Sequence, residues 1–178
     1  MSDPMRYEDH EALQVAASGE TITNLQSAEM MGGAFFQFED RIAKDASGRL
    51  INQHPKQSET FTVKHEAVRL KVDKVWNLLQ AGDTCMIAVG VSQSFKPAGT
   101  IDLTMEVTFT PALDTEPFVH LLASTSSEGK ASLLQIAVLN QTLHSRFYLG
   151  GVPSSLHDVL FSLLARPARW LGYTVCSF

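Results

Sequence analysis

Cysteine is scarce in this 178-residue chain, with only Cys85 and Cys176 present. Two cysteines without a CxxC pair exclude a disulfide framework, and Cys85 lies in an apolar run, so both read as reduced thiols of a cytoplasmic protein. Metal signatures are missing too. There is no HExxH, and His10, His54, His65, His120, His144 and His157 are scattered rather than set at ligand spacing, so neither a structural zinc nor another cofactor is expected. No P-loop and no GxGxxG occurs. Basic residues are outnumbered, with 14 Lys and Arg against 19 Asp and Glu and a formal net charge of −5. The densest basic patch, Lys64 to Lys74, alternates with apolar residues, so no nucleic-acid partner is expected. No uncharged apolar stretch reaches the roughly 18 residues of a membrane span. The first ten residues lack an apolar core segment, so no signal peptide is expected.

What the chain does have is alternation. Ile101, Leu103, Met105, Val107 and Phe109 alternate with Thr100, Asp102, Thr104, Glu106, Thr108 and Thr110, a period of two that predicts a long strand with one apolar face. With 44% apolar and 19% charged residues, the chain reads as one globular domain over 1–178, with 131–178 as an appended strand or helix region. Ala28, Met31, Phe35, Phe38 and Ile42 recur at steps of three and four, which predicts a helix starting near Gly32-Gly33. A hairpin of strands 34–43 and 49–53 is the rival reading. Residues 49–58 read as a loop. Residues 60–72 read as one strand with a bulge or bend where the phase slips between Val63 and Val68. A helical turn is expected at 75–79, a central strand at 84–91, a short strand at 118–124, and a helix after Ser154-Ser155 ended or kinked by Pro167. Residues 131–149 fit a strand or a helix equally.

Gly32-Gly33, six residues, then Asp40, followed by the strands at 84–91, 100–110 and 118–124, resemble the hotdog fold over about residues 24–124. Small acyl-CoA thioesterases of that fold carry His-Gly-Gly ahead of a catalytic Asp on a central helix, although Met31 stands here in place of the His. Val72 to Trp76 ahead of Gly82-Asp83 is similar to the turn of hotdog acyl-carrier dehydratases, with Glu39 in place of their helix Glu. The resemblance implies an α+β fold, a curved antiparallel sheet packed around or against a helix, with an extra C-terminal helix. It implies binding or hydrolysis of an acyl thioester by a homodimer.

On that reading Asp40, or else Glu39, is the catalytic base. Gly32 and Gly33 hold the thioester carbonyl, and Phe35, Phe36 and Phe38 line an apolar acyl slot. Each has a plainer role: helix entry for the glycines, a solvated surface for the acids, core packing for the phenylalanines. Two other functional classes stay open. One is a non-catalytic ligand carrier of the helix-grip type; the other is a dimeric regulator acting through protein contacts.

Overall fold

The computed structural model describes residues 12–15, 18–126 and 148–149, and isolated helical positions between 156 and 170. Its architecture is two antiparallel sheets. In chain order the strands are β1 (Ala12–Val15), β2 (Glu20–Gln26), β3 (Phe36–Ile42), β4 (Asn52–Gln53), β5 (Ser58–His65), β6 (Ala67–Val72), β7 (Val75–Gln80), β8 (Thr84–Ile87), β9 (Gln93–Pro97) and β10 (Leu103–Thr110). Helix α1 (Thr115–Ser126) and the short strand β11 (Tyr148–Leu149) follow. One sheet runs β1-β2-β3-β10-β5-β8 and the other β11-β4-β9-β6-β7.

Most of the alternation at 100–110 does form a strand, β10, whose Leu103, Met105, Val107 and Phe109 are all buried, but residues 100–102 precede it and Ile101 is exposed. It lies between β3 and β5, so two strands far apart in sequence meet on it. Phe36 and Phe38 from β3 and Phe61 and Val63 from β5 join the same inner face. Val68, Leu70 and Phe95 answer from the other sheet, and Phe61 meets Phe95 edge-on at 5.8 Å between ring centroids.

The predicted central helix does not exist. Residues 36–42 are a strand because Phe36, Phe38, Asp40 and Ile42 share a period of two that their helical spacing masked. The rival hairpin fails as well, since β3 pairs with β2 and β10 rather than with residues 49–53. A curved sheet around a helix is therefore the wrong fold class, and the hotdog resemblance loses the element on which it rested. The helix-grip order fails at 75–79, where a strand replaces the helical turn. The phase slip inside 60–72 is a register irregularity between Val63 and His65 against β10, followed by a bend at Glu66. Glu66, at φ 69, turns the chain out of β5 in one sheet and into β6 in the other. The expected strand 118–124 is helical. Residues 84–87 form an outer strand of their sheet rather than a central one, with Met86 exposed. Leu156, Val159, residues 162–165, Pro167 and Trp170 are helical, so the helix expected after Ser154-Ser155 is present among the described residues. Most of 131–149 lies outside the described residues.

Candidate functional site

A strand whose apolar face contains an acid must find that acid a partner, because burying an isolated carboxylate is very costly. Three strands here do this. Glu20 is in phase with Ile22, Asp40 with Phe36 and Phe38, and Glu59 with Phe61 and Val63, and all three acids are buried on the inner face of the six-stranded sheet. Their common partner is Arg49. Its Nη2 lies 3.5 Å from Glu20 Oε1 and 3.7 Å from Asp40 Oδ2, and its Nη1 lies 3.3 Å from Glu59 Oε1.

Gly48 fixes how Arg49 arrives. At φ 83 it occupies the left-handed region, and a Cβ there would collide with the Phe95 carbonyl oxygen. The chain thus runs hard against β9, the Arg49 N–H donates to that same oxygen at 2.9 Å, and the guanidinium lies 4.9 Å from the Phe95 ring centroid. After β4, His54 places Nε2 3.3 Å from Glu59 Oε2 and meets Phe109 edge-on. Gln93 donates through Nε2 to Glu59 Oε2, and Asn52 Oδ1 accepts from the same nitrogen at 3.4 Å.

The two best-buried acids are pushed in opposite directions. Burial holds Asp40 well above the ordinary carboxylate range, Glu20 and Glu59 add to that by repulsion, and Arg49 only partly offsets it. Among the described residues neither Asp40 oxygen has a hydrogen-bond partner. Burial works to raise Glu59 as well. There the hydrogen bond and charge of His54, the charge of Arg49 and the Gln93 hydrogen bond outweigh it, so Glu59 is held below its ordinary value. Burial alone would lower the Arg49 guanidinium, but Glu20, Glu59 and Asp40 more than reverse this, so Arg49 stays charged.

Three acids and a histidine are also the donor types of a cation site. The cation set among the acids here is a guanidinium, and among the described residues no group of three His, Cys, Asp or Glu side chains is arranged to share a metal ion. The donor set present fits Arg49 rather than a metal.

Solved structures of this shape supply the fold. KdgF from Halomonas sp. is similar at a TM-score of 0.53, with 15% identity over 62% of this chain and 96% of that one. An RmlC-like cupin from Shewanella frigidimarina NCIMB 400 gives 0.51 and 19% identity over 63% and 93% of the two chains. The fold is a cupin barrel. The polyketide cyclase RemF from Streptomyces resistomycificus shares it at 0.51 and 14% identity, over 62% and 80%. No family model matches the sequence, and no curated protein does. The cupin barrel overturns the hotdog reading, and with it the acyl-thioester substrate and the thioesterase-like hydrolase chemistry that the reading implied.

In the cupin barrel the sequence-predicted residues separate. Asp40 points inward to Arg49, while Glu39 points outward beside Arg41, Lys44, His65 and Asp102 around a surface groove of about 560 Å³. Phe36 and Phe38 are buried core residues, with ring centroids 5.3 Å apart, and Phe35 precedes the strand half-buried. Gly32 and Gly33 are exposed and have positive φ in the turn before β3, so they start no helix and present no helix N-terminus to a carbonyl. Sequence reasoning missed Glu20, Arg49, His54, Glu59 and Gln93. A signal for three of them was present, because Glu20, Glu59 and Gln93 each sit in phase with buried apolar neighbours.

Proposed function

We propose that the barrel interior is a small-molecule site that works by proton transfer. Asp40 is the proton donor, since burial raises the affinity of its carboxyl for a proton. Glu59 stays ionised and holds His54, which exchanges the second proton. Arg49 keeps the acids together and offers its guanidinium to an incoming oxygen. Two carboxyls driven apart in proton affinity within reach of one guanidinium is a pattern that serves acid–base chemistry.

The observation that carries this reading is Asp40 itself, a fully buried carboxyl with neither oxygen hydrogen-bonded, set beside a cation. Gln93 Oε1 is a further buried polar atom without a hydrogen-bond partner among the described residues. Such atoms are rare unless a ligand or water meets them. Entry is at the end where residues 43–57 cross the barrel, since Arg49 and His54 keep 22% and 12% side-chain exposure while the acids behind them keep almost none. With Glu59 carrying charge against Arg49, the interior favours a neutral, hydroxyl- or amide-bearing molecule over an anion.

The cupin fold hosts small-molecule chemistry in proteins described as a polyketide cyclase and as a nucleoside dehydratase, but the residues above, not the fold, choose the reaction class. The same reading keeps the expectation of a cytoplasmic protein with no nucleic-acid partner, in line with the net charge of −5. Among the described residues no helix is long and apolar enough to cross a membrane.

Ligand-observed NMR against a panel of neutral polyols, nucleosides and cyclic amides tests the proposal. Binding by the wild type, retained binding but lost turnover in Asp40→Asn, and weaker binding in His54→Ala are expected. A panel with no binder, or full turnover by Asp40→Asn, would overturn it.

A further inference from the structure

Strand β7 ends the five-stranded sheet, and its six residues, Val-Trp-Asn-Leu-Leu-Gln, carry no charge and no proline. Edge strands are ordinarily blunted by Lys, Pro or a bulge, and this one has none of them. Val75, Trp76 and Leu78 are 63%, 49% and 57% exposed.

The hydrogen-bonding state of this edge follows from its hairpin. A two-residue turn at Asp73-Lys74, with Asp73 at φ 52, closes on the pair Val72–Val75. Hydrogen-bonded pairs therefore fall at Val75, Asn77 and Leu79, and the N–H and C=O groups of Trp76, Leu78 and Gln80 face the open edge. The protein closes one of these three itself. The Gln80 N–H donates to Asp83 Oδ2 at 2.8 Å, and the Gln80 carbonyl accepts from the Asp83 N–H at 2.9 Å. Among the described residues, no strand lies beyond Trp76 and Leu78 to meet their groups.

We infer that β7 pairs antiparallel with β7 of a second copy, about a two-fold axis through Asn77. Two apolar residues flank Asn77 on each side, Val75 and Trp76 before it and Leu78 and Leu79 after it. The axis sets Trp76 of one copy against Leu78 of the other, and Val75 against Leu79. Trp76 and Leu78 share the face of Lys71 and Arg69, while Val75 and Leu79 share the face of Val72 and Val68, so each matched pair lies on one side of the joined sheet. The backbone groups left open at Trp76 and Leu78 then complete each other in about four hydrogen bonds, and the two Asn77 residues face across the axis.

Charge allows the pairing. Lys71 and Lys96 lie 5.7 and 5.4 Å from the Trp76 ring centroid, on the far side from the partner. Lys71 and Arg69 of the other copy stand three strand spacings apart, about 14 Å, which exceeds the screening length in physiological salt. The contact is small, below about 1,200 Å², so the pair dissociates on dilution. This gives the homodimer expected from sequence a different basis, independent of the interior site.

Sedimentation velocity of the full chain over a concentration series is the test, together with two kinds of variant. Leu78→Glu places a carboxylate opposite Arg69 of its own hairpin, which the single copy tolerates, but sets two carboxylates near each other across the axis. Its association midpoint should weaken by about 100-fold or more with an unchanged melting temperature. Asn77→Cys in a Cys85→Ser/Cys176→Ser background should oxidise to an intermolecular disulfide, because a facing pair of this type has Cα atoms about 4.5 Å apart. Val75→Cys in the same background should not. A wild type that stays monomeric to about 1 mM, a dimer that survives Leu78→Glu, or cross-linking at Val75 as readily as at Asn77 would overturn the inference.

Discussion

Glu39 and Asp40 are neighbours on one strand, yet they sit in different media. Glu39 faces water among Arg41, Lys44, His65 and Asp102. Asp40 is fully buried and shares one guanidinium with two other acids. The outer face of the six-stranded sheet is charged and threonine-rich, and its ion pairs, Arg41–Asp102 at 3.1 Å and Lys64–Glu106 at 2.9 Å, are wet. The inner face is apolar except for the acids around Arg49. The contrast teaches that an ion pair's distance says little about its energetic weight. Loss of one partner outside leaves a solvated charge; the same loss inside leaves a charge without water.

Removal of Arg49 breaks this comparison most severely. Arg49→Met leaves three buried acids without their cation and should cost about 3–5 kcal/mol in urea unfolding. A cost under about 1 kcal/mol would mean that the acids reach water. Next comes Gly48→Ala, which forces a side chain into the Phe95 carbonyl at positive φ. It should cost about 1–3 kcal/mol and displace Arg49, so in combination with Arg49→Met the two effects should be less than additive.

Proton linkage sharpens the contrast at smaller magnitude. The folded state raises the affinity of Asp40 for its proton, so its contribution is complete below the ordinary aspartate value and is lost as pH climbs through the raised one. Asp40→Asn, which cannot ionise, should therefore gain stability relative to wild type as pH rises through that raised value, as read by unfolding across a pH series. Glu59 has the reverse sign. Its contribution is present above the ordinary glutamate value and is lost as pH falls through the depressed one, so the cost of Glu59→Gln should shrink on acidification. The smallest effect belongs outside. Arg41→Ala should change stability by about 0.5 kcal/mol or less, and less still in high salt.

Much of the strand content was legible. Alternation marked β10 and its buried face from Leu103 to Phe109, but not its start, since Ile101 is exposed ahead of the strand. Misreadings arose where two periods coincide. Ala28, Met31, Phe35, Phe38 and Ile42 fit a helix by spacing, yet four positions of 36–42 also fit a strand, and only cross-strand pairing with β2 and β10 decides between them. The site was half legible. An acid at an inward phase, as at Glu20, Asp40 and Glu59, is a visible anomaly in a strand. Arg49 and His54 sit in a stretch that reads as loop, and no local pattern marks them.

The sequence by itself determined which residues share a face, because side chains alternate along an extended chain whatever lies opposite. It thereby committed three acids to apolar faces. Only the tertiary structure decided that residues 20, 40 and 59 converge on residue 49, because that meeting depends on which strands become neighbours and on a glycine that lets the chain pass against β9. Charge compensation in a barrel interior is a non-local property, and a period of two carries no information about what stands across the core.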